Sequence, residues 1–265
     1  MNCIALGQHP YLSLEEKIMP PKAIVLYGDG FNTEQETIFA LSQVGFGAFQ
    51  LHITDLLNFS NKLDDAAMLV VPGGFSFGDE IRSGKVLALK LKNKLIDALN
   101  NFVDQGKFVL GICNGFQVLT SLGLLPDHNL FGEHAAALIR NQSGKFSNHW
   151  VKMTVNEKVK SPFLTNLKTL SAPVRHGEGK LVLRSDVIPA IEQHACLKYE
   201  DNFSGTYDGI AALTNKGGNV FGLMPHPEAF VSLSQHPAWT AKQAKLSFDK
   251  PDGLVFFQNA FNALN

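Results

Sequence analysis

A cysteine on a predicted bend between a strand and a helix is the residue best suited to nucleophilic chemistry. Cys113 follows an apolar run over residues 107–112 and precedes a helical pattern. Gly111 and Gly115 flank it two residues away on either side, where a sharp strand-to-helix turn requires small residues. The dipole and free N–H groups of a helix N-terminus favour a thiolate. We therefore predict that Cys113 is a nucleophile, although a free cysteine is more often a small core residue.

A histidine near the end of the chain could supply the base that a nucleophilic thiol needs. His226 lies between two prolines, after an apolar strand pattern over residues 220–224, and the prolines rigidify the turn around it. Glu228 is close enough along the chain to accept a hydrogen bond from the imidazole and fix its tautomer. Any one of the nine histidines is more often structural than catalytic. The combination with Cys113 nevertheless predicts a Cys–His–Glu triad.

Two adjacent glycines, Gly73 and Gly74, begin a glycine-rich loop after the predicted strand 68–71. The backbone N–H groups of such a loop can approach a ligand closely. A phosphate cradle is disfavoured, because the chain lacks G-x-x-x-x-G-K-[ST] and no G-x-G-x-x-G opens a helix after the first strand. The loop suits an oxyanion hole shared with the amide that follows the nucleophile. A tight turn with only a structural role is the alternative.

The elements that must position these residues alternate between strand and helix through the first half of the chain. Short, continuously apolar runs indicate strands buried on both faces, and helical periodicity indicates the helices between them. The predicted strands are residues 23–27, 48–53, 68–71 and 107–112, and the predicted helices are residues 33–44, 86–103 and 114–122. This pattern predicts an α/β fold with a doubly wound, flavodoxin-like, mostly parallel sheet and a functional crevice at the carboxyl ends of its strands.

The second half of the chain is rich in predicted strands and partly antiparallel. Strand patterns cover residues 135–140, 150–155, 196–199, 210–214 and 220–224, and a last helix covers residues 253–264. Residues 1–22 lack sustained periodicity and are predicted to be an N-terminal extension, in which Met19 is a plausible alternative start. Residues 23–265 are predicted to form one domain.

Composition excludes several classes of function. Twenty-three Lys and Arg balance 24 Asp and Glu, so no overall field attracts nucleic acid or an anionic membrane. No apolar run approaches the roughly 20 residues of a membrane span, and the first 20 residues lack the features of a secretion signal. Cys3, Cys113 and Cys196 form no C-x-x-C pair, so neither a metal site nor a disulfide framework is expected. A reducing, cytoplasmic location fits best.

The motifs at residues 111–117 (GICNGFQ) and 225–228 (PHPE) resemble the class I, or triad, glutamine amidotransferases. This resemblance extends from about residue 22 to the C-terminus. It implies that Cys113 attacks the side-chain amide of glutamine while the N–H groups of Gly74 and Asn114 hold the oxyanion. His226 would pass the proton to departing ammonia, and Glu228 would orient His226. The residues that the resemblance places against the substrate are Gly73, Gln117, His176 and Gly177.

Longer strings, among them PGGFSFGDEIRSG and RHGEG, resemble one branch of this family. The members of that branch are glutaminase subunits that release ammonia for an ATP-dependent synthetase of purine biosynthesis, which converts formylglycinamide ribonucleotide to its amidine. The resemblance implies no cofactor in this chain, ATP and magnesium in the synthetase subunit, and a small accessory subunit that bridges the two.

Three alternatives stay open on sequence alone. They are a triad amidotransferase with a different acceptor, a cysteine hydrolase of related fold, and a non-catalytic subunit with a relic site.

Residues 229–252 form a longer segment than compact family members have, and both a partner-facing surface and a packed loop are compatible with it. The loop at residues 28–32 also departs from the commoner pattern, but none of these departures touches the predicted triad.

Overall fold

The computed structural model describes residues 19–132, 134–243 and 250–264, without the side chains of residues 242 and 243. The strands are β1 Lys22–Tyr27, β2 Gly47–His52, β3 Met68–Val71, β4 Phe108–Ile112, β5 Ala136–Ile139, β6 Ser147–Val155, β7 Thr169–His176, β8 Lys180–Leu183, β9 Ala195–Tyr199, β10 Ile210–Thr214 and β11 Val220–Leu223. The helices are α1 Glu34–Gln43, α2 Ile53–Asn58, α3 Lys85–Asp104, α4 Asn114–Leu122, α5 Trp239–Gln243 and α6 Asp252–Asn262.

Nine of the strands in the described part of the chain form one mixed sheet, in the order β2-β1-β3-β4-β11-β10-β9-β6-β7. The first five pair in parallel and the remaining pairs are antiparallel. As a result, seven strands run in one direction and only β10 and β6 run against them. Strands β5 and β8 pair separately as a two-stranded sheet. The predicted α/β fold with a mostly parallel sheet is confirmed.

Helices cover both faces of the parallel part. Helix α1 contacts β1, β2 and α6, whereas α3 packs against α4, and α4 packs against β4 and β11. Helix α1 connects β1 to the edge strand β2, and α3 connects β3 to β4 in the opposite direction along the sheet. Right-handed crossovers therefore place these two helices on opposite faces. Strands β3 and β4 are buried along their whole length, as the continuous apolar runs in their sequences require.

The carboxyl ends of β3, β4, β11 and β7 open at the same edge. Strand β7 is last in the sheet order, yet its backbone comes close to the end of β4. The Arg175 carbonyl oxygen of β7 lies 3.7 Å from the Cys113 sulfur, which follows β4. The His226 backbone N–H also donates to the Pro173 carbonyl oxygen at 2.9 Å. The sheet therefore curls until both of its halves face one crevice, the one expected at a topological switch point.

Two further regions bear on the sequence predictions. Residues 1–18, most of the predicted extension, lie outside the described residues, so the boundary at residue 22 stays a prediction. In the long segment, residues 229–252, helix α5 is followed by residues 244–249, which also lie outside the described residues. Its earlier part packs on the domain, with the Phe230 ring 5.0 Å and the His236 ring 4.5 Å from the Trp150 ring. Among the described residues, no helix has the length and apolarity needed to cross a membrane.

Candidate active site

Cys113 occupies a strained bend between β4 and α4. Its backbone lies at φ 51° and ψ −103°, a region that L-residues rarely occupy. A Cβ at Gly115 would lie 1.8 Å from the Val71 carbonyl oxygen, and one at Gly111 would lie 2.7 Å from the Gly115 backbone. Both flanking glycines are therefore required by close backbone packing. The bend directs the cysteine into the crevice, where the side chain is 4% exposed.

His226 and Glu228 form a tight buried pair beside the cysteine. The Nδ1 atom of His226 lies 2.6 Å from a Glu228 carboxylate oxygen. Burial lowers the pKa of the imidazole, but the charges of Glu228 and Cys113 and the hydrogen bonds with them outweigh this and raise it to about 10. Nε2 makes no hydrogen bond of ordinary geometry, although Cys113 is close enough to act on the ring. The structure therefore brings the three predicted triad residues together, with the cysteine–histidine contact loosely formed.

Two backbone N–H groups near Cys113, those of Gly74 and Asn114, are the predicted oxyanion donors. Asn114 is the first residue of α4, so its N–H has no carbonyl partner within the helix. Gly74 pairs with Phe31 in an isolated β-bridge. The two hydrogen bonds of this bridge run from the Asn32 N–H to the Gly73 carbonyl oxygen and from the Phe75 N–H to the Gly30 carbonyl oxygen. The bridge therefore does not use the Gly74 N–H, which is left available. Its φ of 150° and the Gly30 carbonyl oxygen, 2.5 Å from a Cβ built there, explain the glycine. The geometry is compatible with the predicted oxyanion hole.

Gly73 has a different structural role from the other predicted substrate contacts. Its N–H donates to the Thr33 hydroxyl at 2.9 Å, so it is not free for a ligand. A Cβ at Gly73 would lie 2.7 Å from Cε1 of His226. Gly73 thus backs the imidazole, and its contact with substrate stays a prediction.

The side chain of Asn114 ties the glycine-rich loop to the cysteine turn. Its carbonyl oxygen accepts from the Ser76 N–H at 3.2 Å, and its amide donates to Asp79 at 3.2 Å and to Gln117 at 2.9 Å. Gln117 in turn donates to the Glu178 carbonyl oxygen at 2.7 Å. The oxyanion loop, the nucleophile turn and the end of β7 are therefore held in one hydrogen-bonded chain.

The turn after β7 is fixed by Asn141. The side-chain oxygen of Asn141 lies 3.0 Å from Nδ1 of His176 and accepts from the Gly179 N–H at 3.0 Å. The side-chain amide of Asn141 donates to the His176 carbonyl oxygen at 2.9 Å. The backbone N–H of Asn141 donates to the Gly177 carbonyl oxygen. Burial, with the nearby His226 and His149, lowers the pKa of His176 to about 3. His176 is therefore a neutral wall residue at neutral pH.

A cavity of about 230 Å³ lies beside Cys113, and Gln117, His176 and Gly177 line it together with Gly74. Its charged lining residues are Asp79, Glu178, Arg140, Lys145 and Arg175. Burial raises the pKa of the Asp79 carboxyl, as does the nearby Glu178 carboxylate, while hydrogen bonds from Ser83 and Asn114 lower it. A small cavity with both signs of charge and a nucleophile suits a zwitterionic amino acid.

Residues 20–262 match the family model of the CobB/CobQ-like glutamine amidotransferase domain. The phosphoribosylformylglycinamidine synthase subunit PurQ of Dehalococcoides mccartyi is 36% identical over 248 residues, which cover 90% of this chain and 96% of the relative. The same subunit of Methanococcus maripaludis is 34% identical over 268 residues, covering 92% of this chain and 98% of the relative. The chain belongs to the PurQ family of glutamine amidotransferases. The resemblance stated from the sequence motifs is confirmed.

Solved structures agree with this membership. A chain of the PurLQS structure from Thermotoga maritima matches with a TM-score of 0.74 and 33% identity, over 93% of this chain and 100% of that one. The glutaminase domain of a Trypanosoma brucei CTPS with bound acivicin matches with a TM-score of 0.59 over 92% of each chain. Its 12% identity shows the fold alone. As a PurQ-family member the chain is an enzyme, a glutamine amidotransferase.

Several residues of this site escaped the sequence interpretation. Thr33 and Asn141 belong to no short motif with a known mechanism, and both hold neighbouring groups rather than a reacting atom. Asp79 and Arg175 lie within the strings PGGFSFGDEIRSG and RHGEG, which gave their places but no role. Asn141 could be found only after the loop that follows β5 and the turn that follows β7 were brought together in space.

Proposed function

We propose that this chain is the glutaminase subunit of a phosphoribosylformylglycinamidine synthase and hydrolyses glutamine to glutamate and ammonia. The observation that carries the proposal is the placement of Cys113 beside the buried His226–Glu228 pair, whose Nδ1–carboxylate distance is 2.6 Å. The family supplies the substrate class, and a cavity with both charge signs beside the sulfur supports an amino acid.

In the first half-reaction the Cys113 sulfur attacks the side-chain amide carbon of glutamine. The N–H groups of Gly74 and Asn114 stabilise the oxyanion that develops on the amide oxygen. His226, whose raised pKa of about 10 keeps it protonated at neutral pH, donates its Nε2 proton to the departing nitrogen. Ammonia leaves, and a γ-glutamyl thioester remains on Cys113.

The second half-reaction reverses the proton transfer. Neutral His226 takes a proton from a water molecule, which attacks the thioester carbon, and the Cys113 sulfur departs as glutamate forms. Glu228 fixes the imidazole with its Nδ1 proton inward, so that Nε2 faces the reacting atoms. Each group thereby returns to its starting protonation state.

The site makes ammonia and has no described group that would consume it. In this proposal the ammonia passes to an ATP-dependent synthetase subunit, which holds ATP and magnesium and forms the amidine, with a small accessory subunit bridging the two chains. The name of the PurLQS structure, matched at a TM-score of 0.74, supports an assembly of this kind. No cofactor is assigned to this chain, and a cytoplasmic location stays a prediction.

The test replaces Cys113 and compares two nitrogen sources in the assembled complex. Cys113→Ala should abolish glutamine-dependent amidine synthesis, while synthesis from added ammonium salt continues, because the synthetase does not need the thiol. Cys196→Ala is the matched control: that thiol is wholly buried, burial raises its pKa, and it lies in β9 away from the crevice. Equal loss of both activities in Cys113→Ala, or glutamine use without Cys113, would refute the proposal.

A further inference from the structure

Tyr199 is a buried phenol near the site that the proposed chemistry does not use. It is the last residue of β9, which runs in the same direction as β4 and β11, so it lies at the edge of the sheet where the crevice opens. Its ring centroid lies 5.2 Å from that of Phe203, which lies 5.6 Å from that of His176. His176 lines the cavity beside Cys113, here called the substrate cavity. Tyr199 is therefore linked to the wall of that cavity through one ring.

The hydroxyl of Tyr199 is buried and forms no hydrogen bond with any residue that the structure describes. A buried hydroxyl without a partner costs stability. Such groups are rare in folded proteins, and catalytic sites are one of the places where they persist. Burial, together with the charge of the nearby Cys113, raises the pKa of the phenol. Tyr199 therefore keeps its proton at neutral pH and remains a hydrogen-bond donor.

Two acceptors near Tyr199 could receive this hydrogen bond. One is Nε2 of His176, which is buried and also has no partner among the described residues. Because Nδ1 of His176 donates to Asn141, Nε2 of the neutral ring carries a lone pair. The other is the Cys113 sulfur, whose charge acts on the phenol. A hydrogen bond to a charged acceptor is roughly twice as strong as one between neutral groups, so a thiolate is favoured over the neutral imidazole.

The contact that the Cys113 sulfur makes in the structure suits a thiol and not a thiolate. The sulfur lies 3.7 Å from the Arg175 carbonyl oxygen, and only an S–H group can donate to that oxygen. In the proposed reaction the thiol proton passes to Nε2 of His226, so the sulfur becomes negative and the carbonyl oxygen repels it. The thiolate then needs donors. His226 supplies one, and Tyr199 has a hydroxyl that is not otherwise engaged.

We infer that the Tyr199 hydroxyl donates a hydrogen bond to the Cys113 sulfur when that sulfur is a thiolate, and so stabilises the charged nucleophile. This inference rests on the proposed function. No proton moves to or from Tyr199: the thiol proton goes to His226, and the sulfur exchanges its contact with the Arg175 carbonyl oxygen for one with the phenol. The same donor stabilises the sulfur again when it departs from the γ-glutamyl thioester.

The test is Tyr199→Phe, which removes the hydroxyl and keeps the ring against Phe203. Tyr207→Phe is the matched control, because it removes the same group from a side chain that is 37% exposed. Alkylation of Cys113 by iodoacetamide is measured as a function of pH in the full-length chain. The reacted peptide is identified by its mass, so that Cys3 and Cys196 do not interfere. Glutamine hydrolysis by the assembled complex gives kcat and KM, and calorimetry gives Tm.

In Tyr199→Phe the pH of half-maximal alkylation should rise by about one unit, which slows alkylation below that pH by about tenfold. We expect kcat to fall by about tenfold. KM should change little, because Tyr199 is not among the described residues that line the substrate cavity. Tm should stay the same or rise, since the hydroxyl has no partner among the described residues. Tyr207→Phe should change none of these quantities.

An unchanged alkylation profile in Tyr199→Phe would overturn the inference, whether or not kcat falls. A lower Tm with an unchanged profile would assign the hydroxyl to another acceptor, such as Nε2 of His176, and would overturn it as well. The charged residues of the substrate cavity and the His226–Glu228 pair are the same in all three proteins, so a shifted profile reports the hydroxyl. Alkylation requires no glutamine and is therefore independent of the proposed function, which fails if wild-type glutamine hydrolysis does not depend on Cys113.

Discussion

The parallel region, residues 22–122 with β11, and the antiparallel region, residues 136–214, build the crevice in different ways. The parallel region positions the proposed nucleophile and the proposed oxyanion donors through backbone packing, with Gly115 so close to Val71 that no Cβ fits. The antiparallel region contributes side chains, held by the hydrogen bonds of Asn141, to the wall of the substrate cavity. The proposed chemistry thus depends on strained backbone in the parallel region, whereas the antiparallel region adds side chains such as Arg140 and Arg175 to the proposed substrate cavity.

One methyl group added to a glycine of each region tests the contrast most directly. Gly115→Ala places a Cβ 1.8 Å from the Val71 carbonyl oxygen and should destabilise the fold by about 3 kcal/mol or more. At Gly177 a Cβ meets only the Phe146 ring at 3.8 Å, so Gly177→Ala should change stability by less than about 0.5 kcal/mol. Denaturant unfolding measures both. Equal destabilisation by the two substitutions would contradict the contrast.

The next largest effect should come from the carboxylate that orients the imidazole. Glu228→Gln removes the charge that raises the pKa of His226, and the amide can donate to Nδ1 and impose the wrong tautomer. We expect kcat to fall by about 10²- to 10⁴-fold and the rate of Cys113 alkylation at neutral pH to fall with it. Unfolding in denaturant should change far less than for Gly115→Ala. A variant with wild-type kcat would remove Glu228 from the triad.

The parallel region was also the more predictable one. Strand β3 was predicted to the residue, and α3 and α4 to within a residue or two, because buried parallel strands are continuous apolar runs and the helices between them are amphipathic. In the antiparallel region, β7 was missed, since Pro173 interrupts its pattern, and the four-residue β8 gave too little periodicity. Helix α2, six residues long, was missed for the same reason.

The site residues that could be predicted from sequence also lie mainly in the parallel region. The cysteine turn, the His226–Glu228 pair and the glycine loop could be predicted from sequence because each has a local chemical logic, and the structure brings them to one crevice. The contribution of β7 could not be found from spacing, because the sheet must curl before Arg175 reaches Cys113. Thr33 and Asn141 were likewise invisible, since they act by holding the backbone of residues far along the chain.

The buried histidines of the site, His226 after β11 and His176 at the end of β7, should make opposite contributions to the pH dependence of stability. The pKa of His226 is raised from 6.5 to about 10, so its contribution is fully present below pH 6.5 and is lost as the pH rises through 10. The pKa of His176 is lowered from 6.5 to about 3, so its contribution is present above pH 6.5 and is lost as the pH falls through 3.

Replacing each histidine should therefore flatten one limb of the stability profile. His176→Gln should reduce the fall in Tm on the acid side, and His226→Gln should reduce it on the alkaline side, each by about 2–4 °C relative to wild type. Calorimetry between pH 4 and pH 10 measures both limbs. If each variant instead flattens the limb assigned to the other histidine, the electrostatic account of His226 and His176 is wrong.

The smallest effect on kcat should come from the hydroxyl that holds Gly73 behind the imidazole. Thr33→Val keeps the shape of the buried side chain but leaves the Gly73 N–H, which donates to it at 2.9 Å, without a partner. The expected cost is about 1–2 kcal/mol of stability, with a modest fall in kcat as the support of His226 loosens. Thr37→Val, one turn along α1, is the matched control, because its buried hydroxyl donates only to the Thr33 carbonyl oxygen within the helix. If Thr37→Val lowers kcat as much as Thr33→Val does, the hydroxyl of Thr33 does not act through Gly73, and the backbone of the parallel region holds His226 without it.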